Sequence, residues 1–469
     1  MQTIERVSEA TATSKGSKTQ RVLDELPVLP NYGRTAEVVG PVINVNTEQM
    51  PHPKTIRGEL GKAAFNWYRN TVSKDPLTRV TSSSHCADKR NFLTSVMGDS
   101  VKGKINDRQV QVDDPAAMAR HIKRVSKYLG SDLVGIARTH PSMLYASGAR
   151  YQENEGGALE TSTDQHVTLV DNSMGRDNRP DDIKQMTPEQ VAKRYPFVII
   201  STTAWDYKTL QAHRHILGDL SYHSTGMRAA LANKSLEGYI RELGYTAIRG
   251  ATVPQTVALA SGIANLGRNG MLISDRYGAR IHAPDTILTD LPLVADAPVD
   301  LGVDDFCKVC RKCAVTCPTN SISFEDKVVY NGVKKYKINW QSCYKLRPFV
   351  HEWWTACLSC VAVCPFTKED TWWRRTAGWA LKTTPVGARE PVVRGLKWLD
   401  DQIWGVERKS RVRFMGYDSG IKPGEKACTI AGCTATHEDN EPSQSADGKV
   451  GYYAPLKENT ERFVKRANV

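Results

Sequence analysis

No stretch of eighteen consecutive apolar residues occurs in this 469-residue chain, and no charged, then hydrophobic, then small-residue leader stands at Met1. The sequence as read therefore contains no membrane-spanning helix and no secretory leader, and a cytoplasmic location is expected. A twin-arginine leader removed during export would leave the same sequence, on the outer face of the cytoplasmic membrane. The Gly-rich stretch 252–274 lacks the G-x-G-x-x-G order, so neither NAD nor FAD is expected there. Basic residues exceed acidic ones by 63 to 51, a net charge of +12, yet no basic run is dense enough to single out a nucleic acid, an anionic membrane face or an acidic redox partner.

What the chain does have is a cysteine pattern. Of eleven cysteines, seven stand as Cys307-x2-Cys310-x2-Cys313-x3-Cys317-Pro318 and Cys357-x2-Cys360-x3-Cys364-Pro365, with Cys343 between the runs. In a two-cluster layout of this kind, three closely spaced thiolates wrap one four-iron cubane and the cysteine before the proline reaches the other. Cluster one reads as Cys307, Cys310, Cys313 and Cys364, and cluster two as Cys317, Cys343, Cys357 and Cys360. The second run is irregular, because its first ligand lies upstream at Cys343, with thirteen residues before Cys357 where two are usual. Paired zinc ribbons are the competing reading, since C-x2-C also suits zinc. Disulfides are not expected, because clusters form where thiols stay reduced; Cys86, Cys428 and Cys433 are left over as incidental thiols.

Four segments follow from composition and periodicity: an arm and wrapping segment over 1–110, a core over 111–299, the cluster unit over 300–370 and a Trp-rich segment over 371–469 that packs its aromatics back on the body. Within the core, residues 114–129 begin with an acidic cap and carry Met118, Ile122, Val125 and Leu129 at helical spacing, followed by an apolar strand over 133–137. A capped helix over 187–195 precedes a strand over 197–202, and a helix over 224–243 stops at Gly244. Helices alternating with short apolar strands predict an α+β core.

At this point the sequence resembles the corrinoid-dependent reductive dehalogenases. The pieces that carry the resemblance are, in order, KYLGSDLVGIA at 127–137, Asp206-Tyr207, Ser221-Tyr222, RELGY at 241–245, GRNGMLIS at 267–274, RYGAR at 276–280, LTDLPL at 288–293, DLGVDDFCKVCRKCAVTCPTNSIS at 300–323 and CVAVCPFTKEDTW at 360–372. The resemblance implies a nitroreductase-like cobalamin-binding core, a C-terminal bacterial ferredoxin-like domain with two 4Fe-4S clusters, and replacement of a carbon-bound halogen by hydrogen. The histidine-ligand string D-x-H-x-x-G is not present; the nearest is Asp164-Gln165-His166, with Leu169 in place of glycine, so a base-off cobalamin is implied. Tyr222 stands where the family places its proton donor, before the helix that closes on LGY. Arg280 or His282 is implied as the basic partner, with His282 where a second arginine would be expected, and Thr252 is a further polar candidate. Gly267, Arg268, Asn269, Gly270 and Ser274 are implied to contact the corrinoid through backbone amides, a structural turn being the plain alternative.

A small organohalide is the implied substrate. A ferredoxin, a flavodoxin or a quinol-linked chain is the implied electron donor, with a small membrane-anchor subunit if the protein is exported. An epoxyqueuosine-reductase-like enzyme and an iron–sulfur electron-transfer subunit are the alternatives. Against the former stand the tyrosine where a carboxylate would serve and the lack of tRNA-binding repeats, so no nucleic acid partner is expected.

Overall fold

The computed structural model describes residues 29–45, 50–61, 104–145, 186–211, 213, 216–317, 319–344 and 357–405. In chain order the strands are β1 (Glu37–Val38), β2 (Leu133–Arg138), β3 (Phe197–Ala204), β4 (Ala247–Arg249), β5 (Asn265–Leu266), β6 (Leu272–Ile273), β7 (Ile281–His282), β8 (Thr286–Thr289), β9 (Val328–Tyr330) and β10 (Val333–Lys335). The helices that matter to the site are α1 (Pro115–Tyr128), α2 (Pro188–Arg194), α3 (Ile216–Glu242), α4 (Pro254–Ala260), α5 (Val303–Cys310), α6 (Lys312–Thr316), α7 (Ser359–Ala362), α8 (Trp372–Thr383) and α9 (Arg389–Trp404).

The central sheet runs β2-β3-β8-β4, with β7 paired to the end of β3, and every pairing is antiparallel. All eight residues of β3 are buried, because both faces of the strand are covered. Phe197 and Ile199 join Ile122 of α1 and Leu236 and Ile240 of α3 on one face, while Val198 and Ile200 join Val257 and Leu259 of α4 on the other. The two-residue period of a strand places these side chains on opposite faces, and each such burial contributes about 1.5–3 kcal/mol. The α+β core expected from the sequence is therefore what the chain forms.

The helix starts follow from capping. Asp114 accepts from the amides of Ala116 and Ala117 at 2.8 and 3.0 Å, and Thr187 and Gln190 form a reciprocal capping box. One boundary differs from expectation. Helix α3 begins at Ile216 rather than Ser224, so Tyr222 projects from inside the helix instead of preceding it. Ser221, Ser224 and Thr225 read as a polar break in the sequence, yet the hydroxyls of Ser224 and Thr225 fold back on the Ser221 carbonyl, at 3.2 and 2.7 Å, and are accommodated within the helix.

The cluster unit is built from α5, α6, the β9–β10 hairpin and α7, and the wrapping segment adds β1 to the outer edge of β10. The Trp-rich segment departs from expectation. Trp372, Trp379 and Trp398 are 77%, 62% and 63% exposed, so α8 and α9 do not bury these aromatics on the body; only Trp373 and Trp404 stack, with ring centres 5.2 Å apart. Both helices turn other residues inward, notably Leu381 and Val393, which pack on Phe306. No described helix is long and apolar enough to cross a membrane. The arm at 1–20, Cys86, Cys428, Cys433 and the Asp164–His166 string lie outside the described residues.

Candidate active site

Strand β7 turns His282 toward helix α3, while Arg280, just ahead of the strand, reaches the Trp205 carbonyl and the Tyr277 ring. The His282 ring stacks on Tyr222, 4.8 Å between centres and 18° from parallel, and the Trp205 ring meets Tyr222 edge-on at 5.5 Å. The stack is possible because Gly226 lies one turn beyond Tyr222 on the same helix face: a Cβ there would come 2.9 Å from His282 Cε1. Trp205 extends β3 by donating its amide to the Arg280 carbonyl at 2.8 Å, and Arg280 Nη1 donates back to the Trp205 carbonyl at 2.6 Å.

Arg280 is buried, and burial pushes its guanidinium pKa down from the usual value against the nearby Tyr277, Asp206 and Asp132. Its guanidinium sits 5.1 Å from the centre of the Tyr277 ring. Tyr277 donates its hydroxyl to Asp132 at 3.2 Å, and the other Asp132 oxygen accepts from the Ala204 amide at 2.7 Å. Asp132 thus fixes both the tyrosine under Arg280 and the strand end that carries Trp205. Two buried N–H groups of this wall, Arg280 Nε and Trp205 Nε1, have no partner among the described residues. Such donors are costly to leave unpaired and are suited to an electron-rich ligand.

The wall is continuous with the cysteines. Trp205, Tyr222, Leu301 and Val361 pack in one apolar cluster with Cys307, Cys360 and Cys364. The eight cysteines of the motif are unbridged. Burial, then Cys307, Cys310, Cys360 and Cys364, push the Cys313 thiol well above its usual pKa; burial, then Cys317, Cys357, Cys343 and Cys364, do the same to Cys360. Those neighbours draw on both of the quartets read from the sequence, with Cys360 and Cys364 adjoining each other, and they include the displaced Cys343.

No three His, Cys, Asp or Glu side chains among the described residues close on a single ion position. Arg311 and Leu358, each directly after the first cysteine of a C-x2-C pair, share a left-handed backbone with φ of 51°. That conformation costs a non-glycine residue about 1–2 kcal/mol, and its recurrence at equivalent positions marks two like loops bent around like bodies. The donor set fits two cubanes. Burial is the largest of the causes that raise the Cys307 thiol to about 12, and the Arg268 amide, 3.4 Å from its sulfur, works against it.

Two other groups of candidates are placed differently. Thr252 is buried and its hydroxyl is spent on Thr286 at 2.5 Å. The turn Gly267–Gly270 fastens the cluster unit to the core, in keeping with the plain structural alternative. Arg268 donates to the carbonyls of Cys307, Ser323 and Glu325, at 3.0, 2.9 and 2.8 Å, and its guanidinium lies 3.9 Å over the Tyr336 ring. Asn269 donates to the Cys360 carbonyl at 3.1 Å, and a Cβ on Gly270 would lie 2.3 Å from Ile338. Ser274 is held by Gly278 and Tyr277 within its own turn.

Sequence reasoning missed Trp205, Asp132 and Gly226. It also missed Lys312, between Cys310 and Cys313, whose fully buried ammonium pairs with Asp400 and with Asp401 at 2.7 Å. A glycine one turn after Tyr222 was the one local signal that could have pointed to His282.

The family of 4Fe-4S dicluster domains matches residues 306–368. A tetrachloroethene reductive dehalogenase of Sulfurospirillum multivorans is 27% identical over 295 residues, which cover 60% of this chain and 56% of that one. A solved reductive dehalogenase, described in connection with B12-dependent dehalogenation, shares the fold with a TM-score of 0.59 at 24% identity, over 78% of this chain and 47% of that one. This chain is similar to reductive dehalogenases in sequence and shares the fold of one. It spans about half the length of the relatives it matches. An epoxyqueuosine reductase of Lactococcus garvieae is 25% identical over 171 residues, covering 35% of this chain and 46% of that one.

Proposed function

We propose that the protein is a reductive dehalogenase, replacing a carbon-bound halogen of a small organohalide by hydrogen with electrons passed through two 4Fe-4S clusters to a cobalamin. The observation that carries this reading is the single apolar layer joining Cys307, Cys360 and Cys364 to Trp205 and Tyr222, which sets electron delivery beside a proton donor. The net change takes two electrons and one proton, releasing halide and leaving a C–H bond.

In this reading Tyr222 supplies the proton from its hydroxyl, supported by the hold of His282 and the edge of Trp205 on its ring. His282 is then the basic group at the tyrosine, while Arg280 is turned to the Trp205 carbonyl and the Tyr277 ring. The unpartnered N–H groups of Arg280 and Trp205 fit a departing halide or the edge of a bound tetrapyrrole. A corrinoid would be held against the Trp205–Tyr222–His282 wall, base-off, and would supply low-potential electrons through cobalt. The apolar wall excludes water that would compete for those electrons. The electron donor to the clusters is of the ferredoxin, flavodoxin or quinol-linked kind.

The test is metal analysis of anaerobically prepared protein, with about eight irons and one cobalt per chain expected, followed by halide release from tetrachloroethene with reduced methyl viologen as donor. Iron without cobalt after reconstitution with cobalamin would leave an electron-transfer protein instead.

A further inference from the structure

A cavity of about 850 Å³ opens on the far side of the cluster unit, between α8, α9 and the turn at 274–276. Trp205, Tyr222, Arg280 and His282 do not line it. Its floor is apolar, with Phe306 and Phe366 in edge contact at 5.1 Å and Leu301 and Leu381 beside them. One wall carries the Trp373–Trp404 stack, and Lys368 takes up a ring face of Trp404, its ammonium 4.5 Å from the ring centre. The volume is in the range of small-molecule sites, about 300–1,000 Å³.

The charges of the lining single out one group. Arg276 and Arg375 share Asp370 at 3.2 and 2.9 Å, Lys382 meets Asp275 at 2.7 Å, and Lys368 meets Asp400 at 3.2 Å. Arg374 has no carboxylate within ion-pair reach among the described residues. It is 9% exposed; its Nη2 donates to the carbonyls of Asp275 and Phe366 at 3.0 and 2.9 Å, and its Nε has no partner among the described residues. A buried guanidinium without a counter-charge is unfavourable, and a guanidinium fork is shaped for a flat oxyanion. Aromatic walls and a buried guanidinium with no carboxylate in contact together favour a ligand that is apolar, flat and negative.

We propose that this cavity is a second ligand site, for a planar aromatic monoanion whose charge is met by Arg374 and whose ring lies along Trp373. The site stands independently of the dehalogenation reading, because Trp205, Tyr222, Arg280 and His282 take no part in it and the two regions meet only at the apolar residues Leu301 and Phe366.

Naphthalene-2-carboxylate, titrated calorimetrically into the anaerobic protein loaded with its clusters and corrinoid, is expected to bind once per chain. The neutral naphthalene-2-carboxamide should bind about tenfold more weakly or worse, because the charge-assisted contact is lost. Trp373→Leu and Arg374→Gln should each weaken the carboxylate by a similar factor, while Tyr222→Phe should leave its binding unchanged. Absence of saturable binding, equal affinity for the amide, or loss of binding in Tyr222→Phe would overturn the proposal. The comparison of carboxylate with amide uses the unaltered protein, so a folding defect in the Arg374 variant does not spare the proposal from refutation.

Discussion

Tyr222 sits in the setting that Gly226 and His282 provide. Tyr222→Phe removes the hydroxyl but keeps the ring between His282 and Trp205, so halide release should fall by about 10²–10⁴-fold with KM little changed, the signature of a lost proton donor. Gly226→Ala is the more discriminating change. In the middle of α3 the alanine gains about 1 kcal/mol of helix propensity, while the new Cβ crowds His282 Cε1 at 2.9 Å and costs about 1–3 kcal/mol of overpacking. The two effects largely offset each other, so thermal stability should stay nearly constant while halide release drops about 100-fold through a displaced His282. A Gly226→Ala protein with unaltered turnover would show that the Tyr222–His282 stack is packing alone.

Among the elements, the Gly267–Gly270 turn decides whether the cluster unit is seated. Arg268 spends its guanidinium on three carbonyls of that unit and its amide on the Cys307 sulfur. Arg268→Met would fill the volume but leave those carbonyls without a donor, at about 1–3 kcal/mol for each buried group. The variant should unfold at lower temperature and be purified with fewer irons than the parent, as counted by iron assay per folded chain. Full iron content in Arg268→Met would move the seat of the cluster unit elsewhere, to Asn269 or to the Lys312–Asp400 contact. Helix α9 contributes in the same way from the other side, since Asp400 and Asp401 neutralise a lysine embedded in the first cysteine run.

On the scale of the whole molecule, Asp300 and Asp305 tie three distant parts together. Arg34, in the segment ahead of β1, donates to both at 2.9 Å, and Arg389 of α9 donates to them at 2.7 and 3.0 Å. Burial works to raise both carboxyl pKa values, but the two guanidiniums outweigh it and hold them below the ordinary 3.8. A carboxylate with a depressed folded pKa lends stability that is complete above its unfolded value and is lost as pH falls through the folded one. The unfolding temperature should therefore hold steady above about pH 5 and fall below about pH 4, with a smaller fall in Arg389→Met. An equal acid dependence in that variant would assign the loss to other carboxylates.

The sequence by itself determined the eight thiols and their spacing, which limits the sulfurs that can reach one cubane whatever surrounds them. It also determined the α+β core and the caps at Asp114 and Thr187, which depend on neighbours two to four residues away. Tyr222, Arg280 and His282 were legible as types at family positions, but their arrangement was not. His282 reaches Tyr222 only because β7 pairs with β3 and Gly226 leaves room on α3, contacts between segments more than fifty residues apart. The same holds for GRNG, whose glycines suggested a cofactor turn while the chain folded it against the cluster unit, and for Arg374, which makes no ion-pair contact among the described residues once α8, α9 and the 274–276 turn enclose it. Short-range chemistry is written in the order of residues; which side chain is left unpaired beside which is decided by long-range packing alone.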